Sequence, residues 1–156
     1  MLSKPLQFYL DTSVPSFLFS PDDLERQEVT KRFFEKVRNN KGYDLYISDI
    51  TLREIGNTQD VEKRNAIKLS VSDIPILETD TEVIELANRY LKEELIPAKY
   101  RDDALHIAIA SVNNIDTLVS WNFEHIVRLK TKRGVSGINT LLGYKVIDII
   151  SPQEIL

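Results

Sequence analysis

Short apolar runs alternate with amphipathic stretches from one end of the chain to the other. Leu6 to Leu10 reads as a strand. The spacing of Val29, Phe33 and Val37, with Phe34 beside them, predicts a helix over Asp22 to Arg38. Its start is expected at Ser20-Pro21-Asp22-Asp23, with a Ser cap and Pro in the first turn. Asn39-Asn40-Lys41-Gly42 ends it, and Leu45-Tyr46-Ile47 is the next strand, with a helix beginning at Ser48 or Thr51. Residues 59–70 are polar with scattered apolar positions and predict an exposed helix. Ile74 to Leu77 is a strand whose Pro75 places it at an edge or terminus. Thr79-Asp80-Thr81-Glu82 fits a capping box. Val83, Leu86, Ala87, Tyr90 and Leu91 then form an amphipathic stripe that stops near Pro97. Ala104 to Val112 is apolar nearly all round, apart from His106 and Ser111, and predicts a central buried helix. Thr117 to Ser120 is a strand, Ser136 to Leu142 a short helix ending at Gly143, and Lys145 to Ile150 a last strand.

This order predicts an α/β fold with a mainly parallel sheet covered by helices on both faces. No repeat, low-complexity segment or interdomain linker divides the 156 residues, so one domain over 1–156 is expected. Hydrophobic content of 42% and charged content of 28% suit a soluble protein with a real core. No apolar run approaches the roughly 20 residues of a membrane span, and Met1-Leu2-Ser3-Lys4-Pro5 has no secretory apolar region. Cysteine is absent, which excludes disulfides, zinc–thiolate sites and cysteine nucleophiles and permits a reducing cytoplasm. The net charge of −4 argues against a basic nucleic-acid coat. Yet His125 to Ile147 carries Arg128, Lys130, Lys132, Arg133 and Lys145 with no Asp or Glu. That stretch is either a phosphate-attracting patch or a solvated loop.

The chemistry is expected at the C-terminal edge of the sheet, where strand ends and the starts of following helices meet. Asp11 ends the first apolar run, Glu54 lies in the first turns after the second strand, Asp102 and Asp103 open the buried helix, and Asn122 follows Ser120. Carboxylates that converge repel one another and need a cation. Oxygen-only ligands suit a hard ion, Mg²⁺ or Mn²⁺, which can activate water and neutralise charge on a phosphodiester. Each position also has a structural reading. Asp11 could cap a turn, Glu54 could close a capping box from Thr51, and Asp102 or Asp103 could serve the helix dipole. Asn122 could be a loop residue. His106 reads as a core histidine with a satisfied ring ahead of a general base, and His125 as a packing residue. Trp121 and Phe123 could stack bases or anchor the loop.

Phe8-Tyr9-Leu10-Asp11-Thr12-Ser13-Val14 resembles the opening motif of PIN-domain nucleases. Asp103-Ala104-Leu105-His106-Ile107-Ala108-Ile109-Ala110 resembles their third-acid helix, and Leu118-Val119-Ser120-Trp121-Asn122-Phe123 the strand and loop of their fourth polar position. Ser48 to Glu54 is similar to the segment of the second acid. The resemblance implies a three-layer α/β/α sandwich with about five strands. It implies Mg²⁺- or Mn²⁺-dependent endoribonuclease action, as in the VapC-like toxins of type II toxin–antitoxin pairs. Asp11, Glu54 and Asp103 take the places of the metal-binding acids, with Asn122 as fourth catalytic position. A cytoplasmic homodimer, an RNA substrate and a cognate antitoxin are also implied. Many members carry Asp where this chain has Asn122, and Asn brings no charge, so a second metal is expected to bind more weakly. The competing expectation is an RNA- or partner-binding module with a degenerate metal site. A phosphatase using Asp11 as nucleophile is disfavoured, because the second Asp expected two residues on is Ser13.

Overall fold

A computed structural model describes residues 3–156; Met1 and Leu2, part of the stretch read for a leader, lie outside the described residues. Five strands form one parallel sheet: β1 (Leu6–Leu10), β2 (Tyr43–Ser48), β3 (Ile76–Leu77), β4 (Thr117–Val119) and β5 (Asp148–Ile150). Their order is β3-β2-β1-β4-β5, so β1 is central and the chain winds outward from it in both directions. Tyr9 stands level with Tyr46 on one side and Leu118 on the other.

Side chains alternate across a strand, and the sheet divides its core accordingly. Phe8, Leu10, Ile47 and Val119 pack under α2 (Leu24–Arg38), α3 (Asp49–Gly56) and α4 (Val61–Ser70) through Phe33, Ile55 and Ile67. Tyr9, Leu118 and Ile149 pack under α5 (Thr81–Lys92), α6 (Arg101–Val112) and α7 (Leu129–Leu142) through Leu86, Ile107 and Val135. The three-layer α/β/α sandwich expected from the sequence is therefore present. Ala104 to Ser111 is buried on every side, as the apolar run predicted. Pro75 and β3 sit at the sheet edge. Among the described residues no helix is long and apolar enough to cross a membrane.

Several local expectations need correction. A short helix, α1 (Ser13–Phe17), follows Asp11 directly. The helix expected to start at Ser20 starts at Leu24, capped by Asp23, whose side chain accepts from the Arg26 amide. Ser20 instead donates to the Ser16 carbonyl. Thr79 does not cap α5: its hydroxyl and amide bond Asp49, and Asp80 accepts from the Val83 amide. The box from Thr51 to Glu54 does not form, because Ser48 is the cap and Thr51 its partner.

The basic stretch after His125 is mostly helix, since α7 begins at Leu129. Arg128 donates to Thr131 and to the Leu95 carbonyl, and Lys145 pairs with Asp116, so two of its five cations are engaged internally. Gly134 and Gly137 weaken the helical signal there. Gly134 has a packing role: a Cβ would stand 2.2 Å from Leu95 Cδ2 and 2.9 Å from its Cγ. Gly137 has open space around it. Alanine gains roughly 1 kcal/mol of helix propensity at either site, but overpacking at Gly134 costs about 1–3 kcal/mol. Urea titration should therefore show opposite signs, Gly134→Ala destabilising and Gly137→Ala stabilising. Equal shifts would remove the close-approach argument.

Candidate active site

The strand order reverses direction at β1, which opens a crevice at its C-terminal end. Asp11 is the first residue past β1 and is buried. Its Oδ1 accepts from the Ser13 hydroxyl at 2.5 Å and the Ser13 amide at 3.1 Å. Its Oδ2 accepts from the Ser120 hydroxyl just beyond β4. Burial pushes the Asp11 carboxyl above the usual range, with the three hydroxyl and histidine partners acting the other way and Asp103 adding repulsion.

Glu54 reaches the same place from α3. Its Oε1 accepts from Thr12 Oγ1 at 2.7 Å and meets His106 Nε2 at 2.5 Å. Burial alone would raise the Glu54 carboxyl, but the hydrogen bond and charge of His106 outweigh it and hold it below its ordinary value. His106 is buried, which disfavours its cation, yet Glu54, Asp11 and Asp103 together raise its pKa. The other ring nitrogen lies 2.5 Å from Tyr9 Oη, which in turn bonds Ser48 Oγ at 2.7 Å. The core histidine with a satisfied ring is thus correct. What the sequence did not reveal is that its ring is satisfied by Glu54, at the centre of the acid cluster.

Asp103 lies in the first turn of α6 and accepts from His125 Nδ1 at 3.1 Å. Burial raises its pKa, while His106, His125 and a hydrogen bond from Asn122 act against that rise. Asp102 points elsewhere: Arg53 grips both its oxygens, at 2.8 and 3.2 Å. Of the two adjacent acids, the inward one is Asp103. Asn122 holds the loop after β4 with its Oδ1, which accepts from the His125 amide at 2.9 Å, and its own amide donates to Ser120 Oγ. Through the His125 amide, Asn122 helps place the ring that binds Asp103.

All four expected positions therefore lie at one edge of the sheet, linked through Thr12, Ser13, Ser120, His106 and His125. The supporting residues carried only a weak signal in the sequence, as hydroxyls and histidines beside the acids. The donor chemistry fits a hard divalent ion: the buried Asp11 and the half-buried Asp103 are carboxylates that repel each other, and a cation would relieve that repulsion. Among the described residues no three histidines, aspartates or glutamates close on a single point. The fit is thus to an ion held by one or two carboxylates with water completing its shell.

No family model matches the chain, and no curated protein matches it in sequence. Solved structures do match in shape. A chain of VapBC2 from Rickettsia felis, bound to a DNA fragment from their promoter, aligns with a TM-score of 0.60 at 15% identity over 94% of this chain and 98% of that one. This is the PIN-like fold of VapC toxins. A chain of VapBC-5 from Mycobacterium tuberculosis shares the PIN-like fold with a TM-score of 0.55 and 20% identity, over 94% and 99% of the two chains. VapC20 from Mycobacterium tuberculosis, a sarcin–ricin loop cleaving toxin, has a TM-score of 0.56 and 15% identity over 90% and 98%. Within the PIN-like fold, the sheet edge beyond β1 is where this chain gathers Asp11, Glu54 and Asp103.

Proposed function

We propose that this chain is a metal-dependent endoribonuclease that hydrolyses RNA phosphodiesters and acts as the toxin of a toxin–antitoxin pair. The observation that carries the reading is the acid cluster around Asp11 at the switch point of a PIN-like sheet. Asp11 and Asp103 are the residues that would hold Mg²⁺ or Mn²⁺, with the second oxygen of Glu54 available through water. When bound, such an ion supplies an activated water and neutralises charge on the phosphodiester. Ser13 and Ser120 orient Asp11, and His125, whose amide Asn122 holds, orients Asp103. Thr12 and His106 fix one oxygen of Glu54. Asn122 spends its carbonyl oxygen on the His125 amide, so it positions an acid and does not add a ligand. The reading is therefore a one-ion site. Antitoxin binding and homodimer assembly go with the toxin role, and solved VapBC structures support it by their shape.

Calorimetric titration with Mn²⁺ is expected to give one ion per chain, with binding lost in Asp103→Asn. RNA cleavage should stop when the divalent ion is chelated and resume when it returns. Cleavage that persists in chelator would sink the metal-dependent reading. Absence of Mn²⁺ binding would favour the second reading, a partner- or RNA-binding module. The engagement of Glu54 by His106 and the uncharged Asn122 are the observations on that side.

A further inference from the structure

We propose that Arg26, Trp121 and Phe123 form a subsite for an unpaired nucleobase of single-stranded RNA, beside the candidate catalytic acids. The proposal rests on the ribonuclease reading and names how that site would hold its substrate. The Arg26 guanidinium lies 5.5 Å from the ring centroids of Phe17, Trp121 and Phe123. Asp23 steadies it, with Oδ2 3.6 Å from Nε. Trp121 and Phe123 meet edge to face, with centroids 6.0 Å apart. Next to them opens a cavity of about 320 Å³, with Asp23, Glu25 and Gln153 completing its wall.

A cation alone would suggest a phosphate site, but the two carboxylates at this rim repel phosphate. They accept instead from the ring and amino N–H groups of a base, and Gln153 offers both a donor and an acceptor. The flat guanidinium and the exposed Phe123 ring supply stacking faces, which every base can use, with the buried Trp121 ring behind them. Trp121 is fixed in place: its Nε1 donates to Thr30 Oγ1 at 2.9 Å, and its amide donates to Ser13 Oγ at 2.8 Å. That same hydroxyl binds Asp11. Phe123 is the free face, 44% exposed. Ser13 thus joins the Trp121 backbone to the Asp11 carboxylate, and this link sets the subsite beside the candidate acids.

Trp121 is the chain's one tryptophan, so its fluorescence reports on this subsite alone. The full chain is titrated in chelator with a short oligoadenylate and with its abasic counterpart. The oligoadenylate should quench Trp121 and the abasic strand should not. Phe123→Ala should weaken binding about tenfold, and Phe123→Tyr should restore it. Equal quenching by the abasic strand or by inorganic polyphosphate overturns the subsite, as does parent-like binding by Phe123→Ala. Quenching by an acidic peptide but not by RNA would also overturn it, giving the surface to a protein partner. Restoring Mg²⁺ separates the two claims. Base-dependent quenching without cleavage keeps the subsite and sinks the nuclease. Cleavage with no quenching, at an unchanged rate in Phe123→Ala, sinks the subsite and keeps the nuclease. Neither signal removes both.

Discussion

Asp11→Asn is expected to lower RNA cleavage by at least about a hundredfold while the fold stands. Losing a residue that merely orients a metal ligand commonly costs 10–100-fold, and in the proposed mechanism Asp11 touches the ion itself. The substitution is gentle on the structure. An asparagine oxygen can keep both bonds from Ser13. Its amide group would face Ser120 Oγ, a hydroxyl able to turn and accept. The carboxyl is buried and held above its usual pKa. A raised acid pKa means the folded state favours the neutral form, so the ionised group costs stability above its unfolded pKa. A neutral amide removes that cost. Cleavage assays and thermal melting at neutral pH should thus move apart, with activity lost and the melting temperature equal or higher. Loss of activity together with a lower melting temperature would mean that Asp11 is a structural residue.

Asn139→Ala should do the reverse, damaging stability at a distance from the acids. Asn139 is fully buried between α5, α6 and α7. Its oxygen accepts from Tyr90 Oη at 2.5 Å, and its amide donates to Ser111 Oγ at 2.9 Å and the Lys145 carbonyl at 3.0 Å. Alanine would leave these partners buried with fewer bonds, at a cost of about 3 kcal/mol. For a chain of this size that is a fall in melting temperature of roughly 6–12 °C, which calorimetry can read. Adding Tyr90→Phe should cost less than the sum of the two single changes, since the stranded hydroxyl is gone. Strict additivity would show that the three side chains do not act as one network.

The sheet and its helices were legible because hydrophobic periodicity reports burial directly. The all-apolar run from Ala104 and the strand at Phe8 to Leu10 are examples. Caps were less legible. Ser20 and Thr79 have the right residue type, but Asp23 and Asp80 stand closer to the apolar stripe and take the role. Helix α7 was read as short because its glycines and cations look like a loop until Leu95 is known to lie against Gly134. At the site, the four polar positions followed from strand ends. The link from Glu54 to His106 did not, because it joins residues 52 apart whose approach depends on how α3 packs on α6. Asn122 could be read as a loop residue or as a fourth catalytic position, and only the turn geometry shows its oxygen committed to the His125 amide.

The grip of Arg53 on Asp102 has a mechanical meaning. Arg53 immediately precedes Glu54, and Asp102 immediately precedes Asp103. The pair therefore acts as a strut between α3 and α6 that sets how far apart Glu54 and Asp103 stand, and the Arg53 charge also helps hold the Glu54 carboxyl down. It is largely solvent-facing, and an exposed pair of this kind adds little to stability and is screened by salt. Ionic strength should then be felt by this protein first as a change of spacing at its reactive edge, well before it is felt as a loss of fold.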